Sequence, residues 1–192
     1  MLKTIAAGLL GAALSAGAAN AAVLWDFQET GGDVVGIFAG SLDLSGAGSA
    51  GAGGLPFDLF SASDAAAIQS DSTGSFDTYE FDAAPANFGT DGLTLATSGT
   101  GDAFAVLGAN SGNEVGVPTG YASGQALAGT LTFANQTFAA LGVTPGSYVF
   151  SLPNDTITVR FGPTAPVPLP ATLPLLLAGF GGLALLRRRR AG

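Results

Sequence analysis

The chain has 192 residues, fourteen acids against six bases, a net charge of −8 and thirty glycines, and it contains neither histidine nor cysteine. Ser-His-Asp and Cys-His catalysis, His/Cys zinc sites and disulfides are therefore excluded. The acid excess also argues against nucleic acid as a partner, because its phosphates would be repelled.

Lys3 is the only charge before an apolar stretch over 5–19, and the stretch ends in Ala19-Asn20-Ala21. A basic start, a short apolar run and small residues at Ala19 and Ala21 define a secretory signal peptide over 1–21. The expected partners of this end are the Sec machinery and signal peptidase.

The body, 22–162, holds all fourteen acids and a single base, Arg160, so its net charge is about −13. Its many phenylalanines and β-branched residues argue for a packed core rather than disorder. Its size suits one domain. Weak alternation around Trp25 predicts a strand over 22–28. A second is predicted over 34–44, with Val35, Ile37, Leu42 and Leu44. Residues 45–54 are a run of Gly, Ala and Ser and predict a flexible loop. A strand over 55–60 would put Phe57 and Leu59 on one side. Ser63 and Asp64 predict the cap of one or two helical turns reaching Ile68.

Further strands are predicted over 76–81, 93–97 and 103–107. The clearest alternation lies in 129–133 and 156–161, where Leu131 and Phe133, then Ile157, Val159 and Phe161, share faces. Between them, residues 138–141 predict a single helical turn stopped by Gly142. Thr144-Pro145-Gly146 reads as a turn, and Tyr148, Phe150 and Leu152 alternate in a strand over 148–152. Many short strands separated by glycine turns predict an all-β fold. The expectation is a single antiparallel β-sandwich, jelly-roll-like, flanked by an N-terminal signal helix and a C-terminal transmembrane helix.

The tail begins with a Pro-rich linker, 163–171, that contains Val167-Pro168-Leu169-Pro170-Ala171. The stretch 167–186 carries no charge. At about 1.5 Å per residue, a helix of that length crosses an apolar layer of roughly 30 Å. Pro168, Pro170 and Pro174 crowd its front and place the start of regular helix near Pro174. Arg187, Arg188, Arg189 and Arg190 follow directly and mark a cytoplasmic stop, so 172–190 reads as a transmembrane helix with its basic anchor. Lys3 marks the cytoplasmic side at the other end. Both ends inside and the body outside is the consistent orientation.

The Val-Pro-Leu-Pro-Ala motif, the apolar span and the arginine cluster together resemble a VPLPA-CTERM signal, a variant of the PEP-CTERM sorting signals of Gram-negative bacteria. The resemblance implies that an exosortase, an integral membrane protease or transpeptidase, recognises Val167, Pro168, Leu169, Pro170 and Ala171 and removes the tail. It also implies a transient stay in the inner membrane, then a cell-surface or extracellular location associated with exopolysaccharide or biofilm.

A second segment, Val117 to Gly124 running into the strand near Leu131 and then Leu141 to Tyr148, is similar to one found among small secreted PEP-CTERM proteins. That segment has the form P-x-G-Y-x-S-G, a T-F strand, then L-G-x-T-P-G-x-Y. Read physically, these residues serve turns and strands rather than chemistry.

Chemistry-bearing residues are few. Asp77, Glu80 and Asp82 lie close together, and Glu80 and Asp82 would share a strand face, while glycoside hydrolysis needs two such carboxyls across a cleft. The plainer reading is a solvated strand face. Oxygen ligands suit calcium, yet no D-x-[DN]-x-[DN]-G loop occurs. Gly46-Ala47-Gly48-Ser49-Ala50-Gly51 matches G-x-G-x-x-G, but Pro56 and its glycine neighbours will not start the helix a dinucleotide site needs. Ala178 and Gly182 fit a small-xxx-small helix contact.

The leading expectation is an exported, non-enzymatic surface or matrix protein with no cofactor or metal. The alternative is an extracellular carbohydrate- or calcium-binding β-sandwich module. In that case Trp25, Tyr79, Tyr121 or Tyr148 would stack on sugar, with burial in the core as the competing fate of each.

Overall fold

Alternation along the chain sets its strands. The computed structural model describes residues 22–54, 57–70 and 74–162, and the expected signal peptide, sorting motif and transmembrane segment lie outside the described residues. In chain order the strands are β1 (Ala22–Thr30), β2 (Asp33–Ser41), β3 (Ser49–Gly53), β4 (Leu59–Ser61), β5 (Ala66–Gln69), β6 (Phe76–Glu80) and β7 (Leu93–Leu95). They continue with β8 (Ser98–Gly101), β9 (Phe104–Leu107), β10 (Glu114–Pro118), β11 (Ala126–Phe133), β12 (Gly146–Ser151) and β13 (Thr156–Phe161). No helix occurs among the described residues, so the fold is all-β.

β1 buries Val23, Trp25 and Phe27 and turns the intervening residues outward. Gly31 and Gly32, both at positive φ (66° and 94°), close a two-residue hairpin into β2. The register sets Trp25 opposite Phe38 and Phe27 opposite Gly36. A Cβ on Gly36 would run into the Phe27 ring, so the missing side chain makes room for an aromatic across the ladder. Gly129 on β11 does the same for the ring of Phe38.

One sheet has six strands in the order β12-β13-β1-β2-β11-β8, and the other has seven in the order β3-β6-β10-β9-β5-β4-β7. Pairing is antiparallel throughout except between β1 and β13, which run parallel with Ala22 opposite Thr156 and Phe27 opposite Phe161. That pair corrects the expectation of a wholly antiparallel sheet. The first and last strands of the body thus sit side by side within one sheet.

Side chains of both sheets meet in one core. Trp25 and Phe38 lie 5.5 and 5.0 Å from Phe104 of the other sheet, ring centroid to centroid, and Phe27 lies 5.9 Å from Phe60. Phe88, Phe150 and Phe161 extend the same cluster. Each buried ring of this size contributes about 1.5–3 kcal/mol. Two antiparallel-rich sheets over a shared core are consistent with a β-sandwich. The seven-stranded sheet also buries Leu59, Ile68, Phe76, Ala103 and Ala105 in a second, smaller cluster.

Several local expectations need correction. Residues 45–54 are not simply a loop, because they contain β3, which pairs with β6 through an irregular register at Ser49 and Gly51. Phe57 is 43% exposed while Leu59 is 5% exposed, so the two do not share a buried side. The helical turns expected after Ser63 are a tight turn followed by β5. Ala66, Ala67, Ile68 and Gln69 are all buried, and β5 is laddered between β4 and β9, so tertiary pairing overrides a weak local preference for helix. β8 and β10 had no clear sequence signal, since both are short and glycine-bearing. The single helical turn expected over 138–141 forms as hydrogen-bonded turns rather than helix: Leu141 N–H donates to Thr137 O at 2.9 Å, and Gly142 (φ +63°) follows.

Candidate functional site

The sorting motif Val167–Ala171, the arginine stop 187–190 and the cleavage residues Ala19 and Ala21 all lie outside the described residues. The remaining candidates fall within the body. Asp77 accepts from Gly120 N–H at 2.8 Å, a structural contact across the β6 region. Glu80 ends β6, opposite Glu114 in the ladder, so no strand continues to put Asp82 on its face. Asp82 lies past the strand end, where its N–H donates to Ser151 O at 2.9 Å. Among the described residues no three acidic side chains converge as a metal-binding group. The Gly46–Gly51 run leads into the edge strand β3 and not into a helix.

The aromatics are committed to architecture. Trp25 is fully buried, and its indole N–H has no hydrogen-bond acceptor among the rings of Phe27, Phe38 and Phe104. Tyr79 packs against the same core.

Tyr121 and Tyr148 act as two clamps of the same design. The Tyr121 hydroxyl accepts from Leu42 N–H at 2.8 Å and donates to Gln125 O at 2.6 Å. Two residues on, Ser123 Oγ accepts from Leu44 N–H at 3.0 Å, and Gly124 N–H donates to Leu42 O at 2.9 Å. The G-Y-x-S-G segment therefore satisfies backbone groups of Leu42 and Leu44, which leave β2 without a ladder partner of their own, while Asp155 Oδ2 accepts from Asp43 N–H at 2.8 Å. The Tyr148 hydroxyl likewise reaches Thr144 O at 2.7 Å and Phe88 O at 3.1 Å, pinning the loop that carries the buried Phe88. Burial raises the pKa of both phenols above the ordinary value.

Among the described residues, the outer face of the six-stranded sheet carries one ion pair. Arg160 Nε donates to Asp26 Oδ1 at 2.8 Å, and Gln28 Nε2 donates to Asp26 Oδ2 at 2.7 Å. Burial works to raise the Asp26 pKa, but the bonds from Arg160 and Gln28 and the Arg160 charge outweigh it and hold the carboxyl below its usual range. The ladder runs Arg160, Asp26, Ile37, Thr130, Thr100 across five strands. A shallow depression of about 220 Å³ lies over Asp26, Gln28, Thr30, Val35 and Ile37. The other sheet has a smaller, apolar one of about 110 Å³ beside Phe76, Ala105 and Gly116.

A further constellation lies at Asp58, Gln69 and Gly99, which sequence reasoning did not single out. Asp58 Oδ1 accepts from Ser70 N–H at 2.6 Å, and Asp58 O accepts from Ala96 N–H at 3.0 Å. Gln69 is fully buried; its Nε2 donates to Ser70 O at 3.0 Å, and its Oε1 has no donor. A Cβ on Gly99 would meet both Asp58 Oδ2 and Gln69 Oε1, so the two oxygens converge on the bare Cα of β8. A buried amide oxygen without a partner costs about 1–3 kcal/mol. No sequence signal marks this pair, because Gln69 follows a run of alanines that reads as helical.

A scan against protein-family models matches none, and searches of curated proteins and of solved structures return no match.

Proposed function

We propose that this is an exported, non-enzymatic cell-surface or extracellular-matrix protein, sorted and trimmed at Val167–Ala171 by an exosortase-type membrane protease. Signal peptidase removes 1–21. The precursor is held in the inner membrane by the apolar span, with Arg187, Arg188, Arg189 and Arg190 on the cytoplasmic side and the body in the periplasm. Cleavage at the motif then passes the body to the surface, in association with exopolysaccharide.

The observation that carries this reading is the ordered set of motif, uncharged span and arginine quartet. The architecture supports it in one respect. Among the described residues the first and last strands, β1 and β13, pair with each other within one sheet, an arrangement that suits a body trimmed at both ends. In the same reading the two sheets are the layers of one jelly-roll-like β-sandwich. The alternative, a binding module, draws support from the unmatched amide oxygen of Gln69 beside Asp58 rather than from the buried aromatics.

The test is the mature C-terminus. Mass spectrometry of the protein at its final location is expected to find an end within 167–171, and deleting 173–190 is expected to change where the protein accumulates. A mature form that still ends at Gly192, with truncated and intact chains in the same place, would overturn the proposal.

A further inference from the structure

We propose that Asp58 and Gln69 bind a calcium ion where the seven-stranded sheet faces β8 of the six-stranded one, at the bare Cα of Gly99. The inference rests on the exported reading only for the supply of the ion.

Oxygens outnumber donors at this point. Gln69 Nε2 is committed to Ser70 O at 3.0 Å, which turns Oε1 toward Asp58 and leaves it buried without a donor. Asp58 Oδ1 is taken by Ser70 N–H, and Oδ2 faces Gly99 beside the amide oxygen. Two acceptors aimed at one point repel each other unless a donor or a cation joins them. Residues from three segments hold these oxygens in place: the lead into β4, the end of β5, and β8. The pair is therefore organised before any ligand arrives. Gly99 permits the approach, because any side chain there would fill the space.

The chemistry selects the ion. One carboxylate and one neutral carbonyl are hard oxygen ligands, which favour calcium or magnesium over zinc or copper. Calcium accepts 6–8 oxygens at about 2.3–2.6 Å in flexible geometry, and Asp58 is only half-buried, so water can complete the shell. Magnesium needs a near-ideal octahedron that two converging side chains do not impose. The strongly acidic body raises the local concentration of cations. A bound ion would fix the 96–97 crossover, which carries the chain from β7 in one sheet to β8 in the other.

Isothermal titration calorimetry of the purified full-length chain in detergent micelles, with calcium chloride and then magnesium chloride, reads the site directly. The expected result is one calcium per chain with a Kd of about 10⁻⁴–10⁻³ M, little heat from magnesium, and a higher unfolding temperature in calcium. Asp58→Asn keeps the shape and removes the charge; Gln69→Leu fills the same space without the oxygen. Each is expected to weaken binding about tenfold or more. No heat and no thermal shift up to about 10 mM calcium, or wild-type binding by Asp58→Asn, would overturn the inference.

Hydrogen exchange on the unmodified protein covers the case in which a variant does not fold. Calcium is expected to protect amides around 58–70 and 96–99, and protection confined to other regions would count against the site. Because the titration uses purified protein, its failure leaves the sorting proposal standing, and a failure of sorting leaves the ion site standing.

Discussion

Tyr121→Phe removes one oxygen and leaves the ring. The ring stays packed, so no cavity forms, and the loss is confined to hydrogen bonding. Two backbone groups lose their partner: Leu42 N–H and Gln125 O. Gln125 is exposed, and water replaces the hydroxyl at its carbonyl. Leu42 is fully buried, so its N–H is left unsatisfied at a cost of about 1–3 kcal/mol. The expected loss of stability is therefore about 2 kcal/mol.

Urea unfolding followed by fluorescence of Trp25, the single tryptophan, measures this directly. The midpoint should fall while the slope with denaturant stays unchanged, because the surface exposed on unfolding is the same. Ser123→Ala, which removes the acceptor of Leu44 N–H, should act in the same direction, and the double variant should be less than additive because both bonds hold one segment. A Tyr121→Phe loss below about 0.5 kcal/mol would refute the idea that the G-Y-x-S-G segment is spent on holding Leu42 and Leu44. It would reopen that segment as a surface for recognition.

Gly36→Ala should destabilise the body by about 1–3 kcal/mol, because the added methyl meets the Phe27 ring in a closed core; pairing it with Phe27→Leu should recover part of the loss in the same unfolding assay. Asp26→Asn should cost about 1 kcal/mol at pH 7, since Arg160 and Gln28 then face a neutral amide. The Asp26 pKa is depressed in the fold, so its contribution is present above the unfolded carboxylate range and disappears as the pH falls through the lower folded value. Thermal unfolding from pH 6 down to pH 2 should show the two proteins converging, and a gap that stays constant would contradict the role given to the ion pair.

Much of the fold could be read locally. The strands at 156–161 and 148–152 and the turn at 138–141 follow from alternation and from proline and glycine chemistry, which act between near neighbours. Tyr148, Phe150 and Leu152 share a face by periodicity alone. What failed did so where partners lie far along the chain. The 66–69 stretch looks helical until β4 and β9 flank it, and a Gly, Ala and Ser run looks like a loop until β6 pairs with it. The tyrosines appeared in the sequence as turn neighbours or as platforms for sugar. Only the fold brings Leu42 to Tyr121, 79 positions away, and Phe88 to Tyr148, 60 away.

The sequence by itself determined the chemistry that is impossible here, the charge pattern of the two ends and the all-β character of the body, because these depend on residue type, order and short-range period. The tertiary structure alone decided that β1 lies parallel to β13, that Trp25 is sealed among phenylalanines, and that an amide oxygen from β5 meets a carboxylate at a glycine of the opposite sheet. Each of those facts depends on register between distant strands. Register is fixed by the combined packing of both faces, and no local pattern encodes it.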